Sequence, residues 1–482
     1  MSVNKLNPRI GVCTHFERRE YGWKVEELLP RIVEAGIGVV RQEIKWEDVE
    51  QQKGTYALPN VAIEWLDHCE KAGIRVILLL CYGNPLYDNP LDPNGFAAYA
   101  RFLAETLRDR NLIIGYEIWN EPTNFQFYRQ YGGTWSGADP APWREHFCEL
   151  LSRTADAIRE VDADTPILTN TGDPQAVHML KHHPEAFARI DGISTHPYSV
   201  RFPPETVPFG GGRISTEDGA RVADDDHDVR SLYRLLGEHA RNATGRKLNV
   251  YATEFGFPSY DPSRQKGWFD GYSERTQAAY SVRALLLALH SGVVAPCLYD
   301  FMNDGADPFE AEMNFGLIRH ETEDWEPKPV FHAVRRLCEW LPADAEPVSH
   351  TPFHLSHGRE APAQRYFWQE RPEEPFLRVD GPQHLVFRSG GRFLSVLWRA
   401  GRLNGETGPL HTSIFQTRAR SEPAEVVCLN LITGETRRLH LRAPTRSGMD
   451  GEGLMLDDLS LTGEPLLLRW PLTSDLSRNA LP

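Results

Sequence analysis

Two glutamates stand at matching places in two apolar segments of the sequence. The segment Ile113-Ile-Gly-Tyr-Glu-Ile-Trp-Asn-Glu-Pro122 ends in Glu121, and the segment Leu248-Asn-Val-Tyr-Ala-Thr-Glu-Phe-Gly-Phe257 ends in Glu254. The strands of a parallel barrel deliver reactive groups at their C-terminal ends. A single glutamate at a strand end often makes only a local hydrogen bond or salt bridge, whereas two at equivalent ends favour paired acid–base chemistry.

The residues around Glu121 predict that it acts as an acid. It follows Trp119 and Asn120 just past a buried run, so partial burial is expected to raise its pKa and keep it protonated at rest. Such a pair suits cleavage of a glycosidic bond, with carboxyl groups about 5–5.5 Å apart for retention of configuration and about 6.5–9.5 Å apart for inversion. This chemistry needs neither a metal nor a cofactor.

Eight short apolar runs predict the strands that position these residues, and segments of helical period separate them. This alternation predicts an α/β fold, a closed (β/α)8 TIM barrel. A doubly wound open sheet is the alternative, but no glycine-rich phosphate-binding motif follows an early strand. The predicted strands are Arg9–Cys13, Gly38–Gln42, Arg75–Leu80, Ile113–Trp119, Pro166–Thr169, Gly192–Thr195, Leu248–Thr253 and Val293–Tyr299.

The character of the sequence changes near residue 340. Proline becomes frequent, and short runs of alternating polarity replace the helical period, which predicts a smaller C-terminal antiparallel β-sandwich domain. We therefore assign residues 1–342 to the barrel and residues 343–482 to the sandwich. Its strand aromatics, such as Phe387, Phe393 and Trp398, alternate as core residues do, so we expect the sandwich to buttress the barrel.

The composition excludes some classes of partner. There are 52 Lys and Arg against 67 Asp and Glu, a net charge of −15, which argues against nucleic acid and anionic membranes. No apolar run approaches the roughly 20 residues that span a bilayer, and no signal peptide is recognisable at the N-terminus. We expect a cytoplasmic protein, or a secreted one if a signal peptide has been removed.

The motifs Ile118-Trp-Asn-Glu-Pro122 and Thr253-Glu-Phe-Gly256 resemble the acid/base and nucleophile segments of the clan A glycoside hydrolases. The region after strand eight, with Cys297-Leu-Tyr-Asp-Phe-Met-Asn-Asp304 and Asn314-Phe-Gly-Leu317, is most similar to glycoside hydrolase family 39, which is related to families 5, 30 and 51. The resemblance implies a retaining hydrolase of a β-linked oligo- or polysaccharide, with Glu121 as acid/base and Glu254 as nucleophile.

The resemblance also implies roles for the neighbouring residues. Asn120 would hold the 2-hydroxyl of the sugar, Arg41 would support the nucleophile, and His196 and Tyr198 in Ser194-Thr-His-Pro-Tyr198 would line the catalytic subsite, with Tyr198 donating to the nucleophile. A structural salt bridge is the alternative for Arg41. Further candidates for contact with substrate are His15, Asn84 and Trp119.

The sugar-stacking platform departs from the clan pattern. Many clan members place a tryptophan after strand eight, whereas this chain has Tyr299 and Phe301 there, and Trp268 in the loop after Glu254 is a possible substitute. A transglycosylase would show the same two carboxylates, so only an acceptor assay separates it from a hydrolase. A catalytically silent carbohydrate-binding barrel is the other alternative, but it would be expected to lose one of the glutamates. The sequence leaves open the sugar, the choice between internal and terminal cleavage, and the oligomeric state.

Overall fold

The structure is a computed structural model that describes residues 6–208, 219–264, 268–357, 364–368, 371–378, 381–403, 409–417, 425–442 and 453–471. Eight parallel strands form one sheet in the order β7-β6-β5-β4-β3-β2-β1-β8. Bridges from Tyr251 to Val294 and from Phe255 to Leu298 join β7 to the β8 segment and close the barrel. The strands are β1 Asn7–Cys13, β2 Ile37–Lys45, β3 Arg75–Cys81, β4 Ile113–Ile118, β5 Ile167–Asn170, β6 Gly192–Thr195, β7 Asn249–Ala252 and β8 Cys297–Leu298. The predicted TIM barrel is confirmed.

Helices cover the outside of this barrel and begin and end where the sequence supplies caps. Asp92 and Ser273 each accept a hydrogen bond from a first-turn N–H, and Gly73 and Gly245 adopt left-handed conformations at helix C-termini. The α-helices span Val25–Glu34, Trp46–Val49, Asn60–Ala72, Pro93–Leu107, Phe127–Tyr131, Pro142–Arg159, Asp173–His182, Pro184–Phe187, Val229–Thr244, Glu274–His290 and Pro329–Trp340. Short 3-10 helices span Arg19–Tyr21, Arg108–Arg110, Glu312–Asn314 and Glu321–Glu323.

The eighth strand is much shorter than the predicted Val293–Tyr299, because only Cys297 and Leu298 make ladder pairs with β1. The residues before them join β7 through a single bridge at Val294 instead. The apolar run therefore reflects burial in the barrel wall and not a long regular strand.

The C-terminal region forms antiparallel sheets, which confirms the predicted β-sandwich. One sheet has the order β17-β16-β19-β14-β13-β9, a second has β10-β15-β18, and a third pairs β11 with β12. The strands are β9 Glu346–Pro347, β10 Phe353–His357, β11 Gln364–Trp368, β12 Arg371–Arg378, β13 Pro382–Ser389, β14 Arg392–Arg399, β15 Leu410–Thr417, β16 Glu425–Asn430, β17 Thr436–His440, β18 Gly453–Leu461 and β19 Leu466–Arg469. As predicted, Phe387, Phe393 and Trp398 are buried.

A buried polar cluster joins the sandwich to the barrel. Glu205 and Arg283 are both fully buried and form a two-pronged ion pair, with Arg283 Nε 2.7 Å from Glu205 Oε1. Trp398 Nε1 of the sandwich donates to the same Glu205 oxygen at 2.7 Å, and Arg283 also donates to the carbonyl of Gly401 at 3.0 Å. The pair is therefore shared by both regions of the chain.

Among the described helices, none has the length and apolar character that crossing a bilayer requires.

Candidate active site

A cavity of about 840 Å³ opens at the C-terminal ends of the barrel strands. It is in the size range of small-molecule sites, and active sites of this fold occupy this face. Nine of the predicted site residues line it: His15, Arg41, Asn120, Glu121, His196, Tyr198, Glu254, Trp268 and Tyr299.

The carboxylate of Glu254 is held by two donors from different strands. Arg41 Nη1, on β2, lies 3.0 Å from Glu254 Oε2, and the hydroxyl of Tyr198, after β6, donates to Oε1 at 2.8 Å. The side chain of Glu254 is 14 % exposed, so it is oriented toward the cavity while still reachable. These contacts are the ones that the sequence predicts for Arg41 and Tyr198.

A second carboxylate, that of Glu117, is buried inside the barrel and binds Arg41. Arg41 Nε donates to Glu117 Oε2 at 2.6 Å, and the hydroxyls of Ser194 and Thr253 both donate to Oε1, the latter at 2.7 Å. Glu117 is fully buried, so these donors satisfy its carboxylate oxygens inside the barrel. Sequence reasoning missed Glu117, although a charged residue within the apolar run Ile113–Ile118 was a signal that it faces polar partners inside the barrel.

The backbone turns sharply at Glu121, which has a left-handed conformation with φ of 43°. Its N–H donates to Asn170 Oδ1 at 2.9 Å, which ties the end of β4 to the end of β5. The carboxylate accepts from Asn124 Nδ2 at 2.8 Å on Oε2, and His196 Nδ1 lies 2.7 Å from Oε1. The Glu121 side chain is 23 % exposed and borders the cavity. Asn120, beside it, accepts from Arg41 Nη2 at 2.8 Å.

The proton balance at Glu121 differs from the sequence-based expectation. Burial raises the pKa of Glu121, but hydrogen bonds from His196 and Asn124 outweigh it, so its pKa lies below the ordinary value. Burial lowers the pKa of His196, but the negative charges of Glu254 and Glu121 reverse this, so its pKa lies above the ordinary value. The lowered pKa of Glu121 is the opposite of the raised pKa that the sequence predicts, because Glu121 shares its proton with His196.

The two glutamates lie close to one another. One oxygen of Glu121, one oxygen of Glu254 and a ring nitrogen of His196 are all within 4.8 Å of each other. This spacing is shorter than the roughly 6.5–9.5 Å that leaves room for a water between the carboxyl groups. The arrangement therefore allows both carboxyl groups to contact the same bond of a bound molecule.

Three of the predicted substrate-contact residues are not among those that line the cavity. Asn84 is buried in its loop, where Nδ2 donates to the carbonyl of Glu50 at 2.9 Å. Trp119 is fully buried, with its ring centroid 4.8 Å from that of Phe127. Phe301 is also fully buried and packs toward Phe331. Successive side chains at a strand end point alternately toward the cavity and toward the core. The position of a residue in the sequence did not show which of the two directions its side chain takes.

Several cavity residues were not predicted from the sequence. Arg18, Glu43 and Glu312 add charge to the wall, and Phe125 and Trp135 are aromatic side chains that are 42 % and 46 % exposed. The aromatic residues that follow Glu121 in the sequence were an available signal. Among the predicted platforms, Trp268 is 52 % exposed and Tyr299 packs edge-on against His15 with ring centroids 5.8 Å apart.

Two groups of side chains have the spacing and chemistry to hold a metal ion. One is the set Glu121, His196 and Glu254, and the other is His15, Asp300 and Asp304, each with ligand atoms within 4.8 Å of one another. Nitrogen and carboxylate oxygen ligands of this kind suit zinc and similar ions. At the second group, Arg18 Nη1 lies 3.5 Å from Asp304 Oδ2, so a cation of the protein already stands beside these carboxylates.

Comparison with known proteins places the chain in a class. Residues 6–282 match the family model of the cellulases, glycosyl hydrolase family 5. Because this match covers more than half of the 482 residues, the chain belongs to glycosyl hydrolase family 5 and thus to the clan A glycoside hydrolases. The predicted clan is confirmed, and the protein is a glycosidase whose substrate is a carbohydrate. No curated protein sequence is detectably similar to it.

Solved structures share the fold over nearly the whole chain. A family 39 glycoside hydrolase from the gut symbiont Bacteroides cellulosilyticus WH2 is 21% identical, with 98% of this chain and 82% of that chain covered and a TM-score of 0.65. A family 5 glycoside hydrolase from Bacteroides vulgatus ATCC 8482 is 12% identical, with 99% and 90% covered and a TM-score of 0.53. A GH30 endoxylanase from Clostridium papyrosolvens C71 is 9% identical, with 97% and 98% covered and a TM-score of 0.53. Of these three, the family 39 fold is the most similar, as the sequence motifs predict.

Proposed function

We propose that the protein is a retaining glycoside hydrolase that cleaves a β-glycosidic bond by double displacement, with Glu254 as nucleophile and Glu121 as acid/base. The observation that carries the proposal is the close pair of carboxylates in one cavity, with oxygens within 4.8 Å. Retaining enzymes hold these groups about 5–5.5 Å apart, because the nucleophile must reach the anomeric carbon itself.

In the first step a Glu254 oxygen attacks the anomeric carbon and the bond to the leaving-group oxygen breaks. Glu121 gives its proton to that oxygen, and a covalent glycosyl-enzyme results. Arg41 and Tyr198 orient the attacking carboxylate through their bonds at 3.0 and 2.8 Å. In the second step Glu121 takes a proton from water, the resulting hydroxide attacks the anomeric carbon, and Glu254 is released.

His196 supplies the proton that the first step needs. Its Nδ1 lies 2.7 Å from Glu121 Oε1, so a proton held by the imidazole in the free enzyme passes to Glu121 without a rearrangement. Asn120 borders the cavity beside Glu121 and is held by Arg41. It would donate to the sugar's 2-hydroxyl, a contact that strengthens in the transition state.

The test is a screen of aryl β-glycosides (xyloside, glucoside, galactoside, mannoside, arabinoside and glucuronide) with the wild type, Glu121→Ala and Glu254→Ala. We expect one or more to be hydrolysed, activity to vanish in Glu254→Ala, and azide to rescue either variant with opposite anomeric products. Glu310→Ala is a matched control, because Glu310 is a carboxylate of the loop after β8 that does not line the cavity. Activity that survives in Glu254→Ala would overturn the proposed nucleophile, and transfer to an added sugar acceptor would instead identify a transglycosylase.

A further inference from the structure

The catalytic cavity has two unlike ends. The residues His15 and Glu43 come from the ends of β1 and β2, whereas Phe125 and Trp135 come from the loop after β4. In the closed barrel β4 and β5 lie three to four strands away from β1, so the two sets face each other across the cavity. Glu121 follows β4 and Glu254 follows β7, and both line the same cavity.

The β1–β2 end is buried and carries polar atoms without hydrogen-bond partners. The side chains of His15 and Glu43 are only 12 % and 7 % exposed. Among the described residues, neither ring nitrogen of His15 completes a hydrogen bond, and Glu17 Oε1 lies 3.9 Å from His15 Nδ1. Glu43 is held by Glu17 and by Lys45, whose Nζ lies 3.4 Å from Glu43 Oε1. Buried polar groups are normally satisfied, so these atoms point to a ligand that supplies both donors and acceptors.

The chemistry of this end fits a neutral sugar ring. The His15 side chain is 12 % exposed, and a neutral imidazole offers one donor and one acceptor to a bound molecule. Glu43 accepts, and Arg18, which also lines the cavity, donates. Sugar hydroxyls both donate and accept, so adjacent hydroxyls of one ring can satisfy these groups together.

The opposite end is open and aromatic. Phe125 and Trp135 are 42 % and 46 % exposed, in contrast to the buried polar groups across the cavity. Asn124, from the same loop, donates to Glu121 Oε2 at 2.8 Å, so this loop also carries the acid. Because the acid must touch the oxygen of the leaving group, the leaving group lies on this side.

We propose that the buried end holds a single terminal sugar through His15, Glu43 and Arg18, and that the rest of the substrate crosses the aromatic rim at Phe125 and Trp135. The enzyme would then release one sugar at a time from a chain end, and would not cleave within a polymer. This inference rests on the proposed function, since the positions of the acid and nucleophile define the two sides.

The first test compares an aryl β-glycoside that the enzyme hydrolyses with the same glycoside carrying a 4-O-methyl group on its sugar. We expect kcat/KM to fall at least about 100-fold, because the methyl group replaces a hydroxyl proton that the buried polar groups of this end would bind. A fall of less than threefold, or internal products from a pentasaccharide labelled at its reducing end, would overturn terminal cleavage while leaving the catalytic pair intact. Cleavage of polymer without any aryl glycoside activity would also overturn it, and no cleavage of any substrate would overturn the proposed function itself.

The second test substitutes one residue at each end of the cavity, in separate variants. Glu43→Gln should lower kcat/KM about 10- to 100-fold on the full substrate. The loss should be much smaller on the mono-deoxy glycoside that lacks the hydroxyl bound by Glu43, because that contact is already missing there. Trp135→Ala should lower kcat/KM for an oligosaccharide about tenfold more than for the glycosyl fluoride, which has almost no leaving group to stack. Tyr21→Ala is the control for an exposed aromatic outside the cavity, since Tyr21 is 58 % exposed. Equal losses on all substrates in both variants would show purely structural roles and overturn the assignment.

Discussion

His196 Nδ1 and Glu121 Oε1 lie 2.7 Å apart, and the negative charge of Glu254, whose Oε2 is 3.9 Å from the same nitrogen, favours the protonated imidazole. The Glu121–His196 pair therefore shares one proton whose affinity belongs to the pair and not to either residue. The raised pKa of His196 means that this proton is lost only as the pH rises above the usual range for an imidazole.

This relationship predicts a pH effect for His196→Asn. In the wild type, kcat/KM should fall on the basic side as the pair loses its proton, above about pH 6.5. In the variant the proton can reside only on Glu121, so the basic limb should move to lower pH. The measurement is the pH profile of kcat/KM for an aryl glycoside. An unchanged basic limb would contradict proton sharing by the pair.

Glu117 should position the site without touching substrate. Glu117→Gln removes the buried counterion that holds Arg41 Nε at 2.6 Å, and loss of a charge-assisted hydrogen bond of about 1.5–3 kcal/mol corresponds to roughly 10–100-fold. We expect kcat to fall by this amount with little change in KM, since Glu117 does not line the cavity.

The control for Glu117 is Ser194→Ala, which removes one hydroxyl donor but keeps the carboxylate and the ion pair with Arg41. Its effect on kcat should be clearly smaller than that of Glu117→Gln. Equal effects would mean that local packing, not the charge of Glu117, orients Arg41.

The buried pair of Glu205 and Arg283 should matter for stability. Arg283→Met removes the ion-pair partner of Glu205 at a site where both side chains are fully buried, so the free energy of unfolding should fall by about 3–5 kcal/mol. Urea denaturation measures this change. Arg234→Met is the exposed control, since Arg234 and Glu238 are 48 % and 47 % exposed, and it should cost less than about 1 kcal/mol. A mild effect of Arg283→Met would show that water reaches Glu205.

The expectation that catalysis needs no metal remains a prediction, and the group of His15, Asp300 and Asp304 gives it a direct test. Treatment with EDTA followed by gel filtration should leave kcat/KM for an aryl glycoside within about twofold of the untreated value. Elemental analysis of the purified protein should be run in parallel. Loss of activity that zinc or manganese restores would instead assign a metal to one of the two ligand groups.

Much of the barrel was readable from local patterns. The strand Gly192–Thr195 has its predicted bounds. The strand that carries Arg41 and the strands that precede Glu121 and Glu254 lie where short apolar runs predicted them, because burial on both faces leaves a continuous apolar signal. The sandwich was less readable. The strand Arg371–Arg378 contains two prolines and four charged residues, so its sequence lacks the alternation that marks a strand.

The sequence by itself determined the barrel, the clan and the strand ends where Glu121 and Glu254 stand, because these depend on short-range patterns and on motifs. Only the tertiary structure decided which strand-end residues face the cavity, as Asn84, Trp119 and Phe301 show. It also decided the protonation of Glu121, because proton affinity depends on His196, a neighbour 75 residues away in the chain. The physical reason is that burial and charge act through space, and barrel closure sets the distances over which they act.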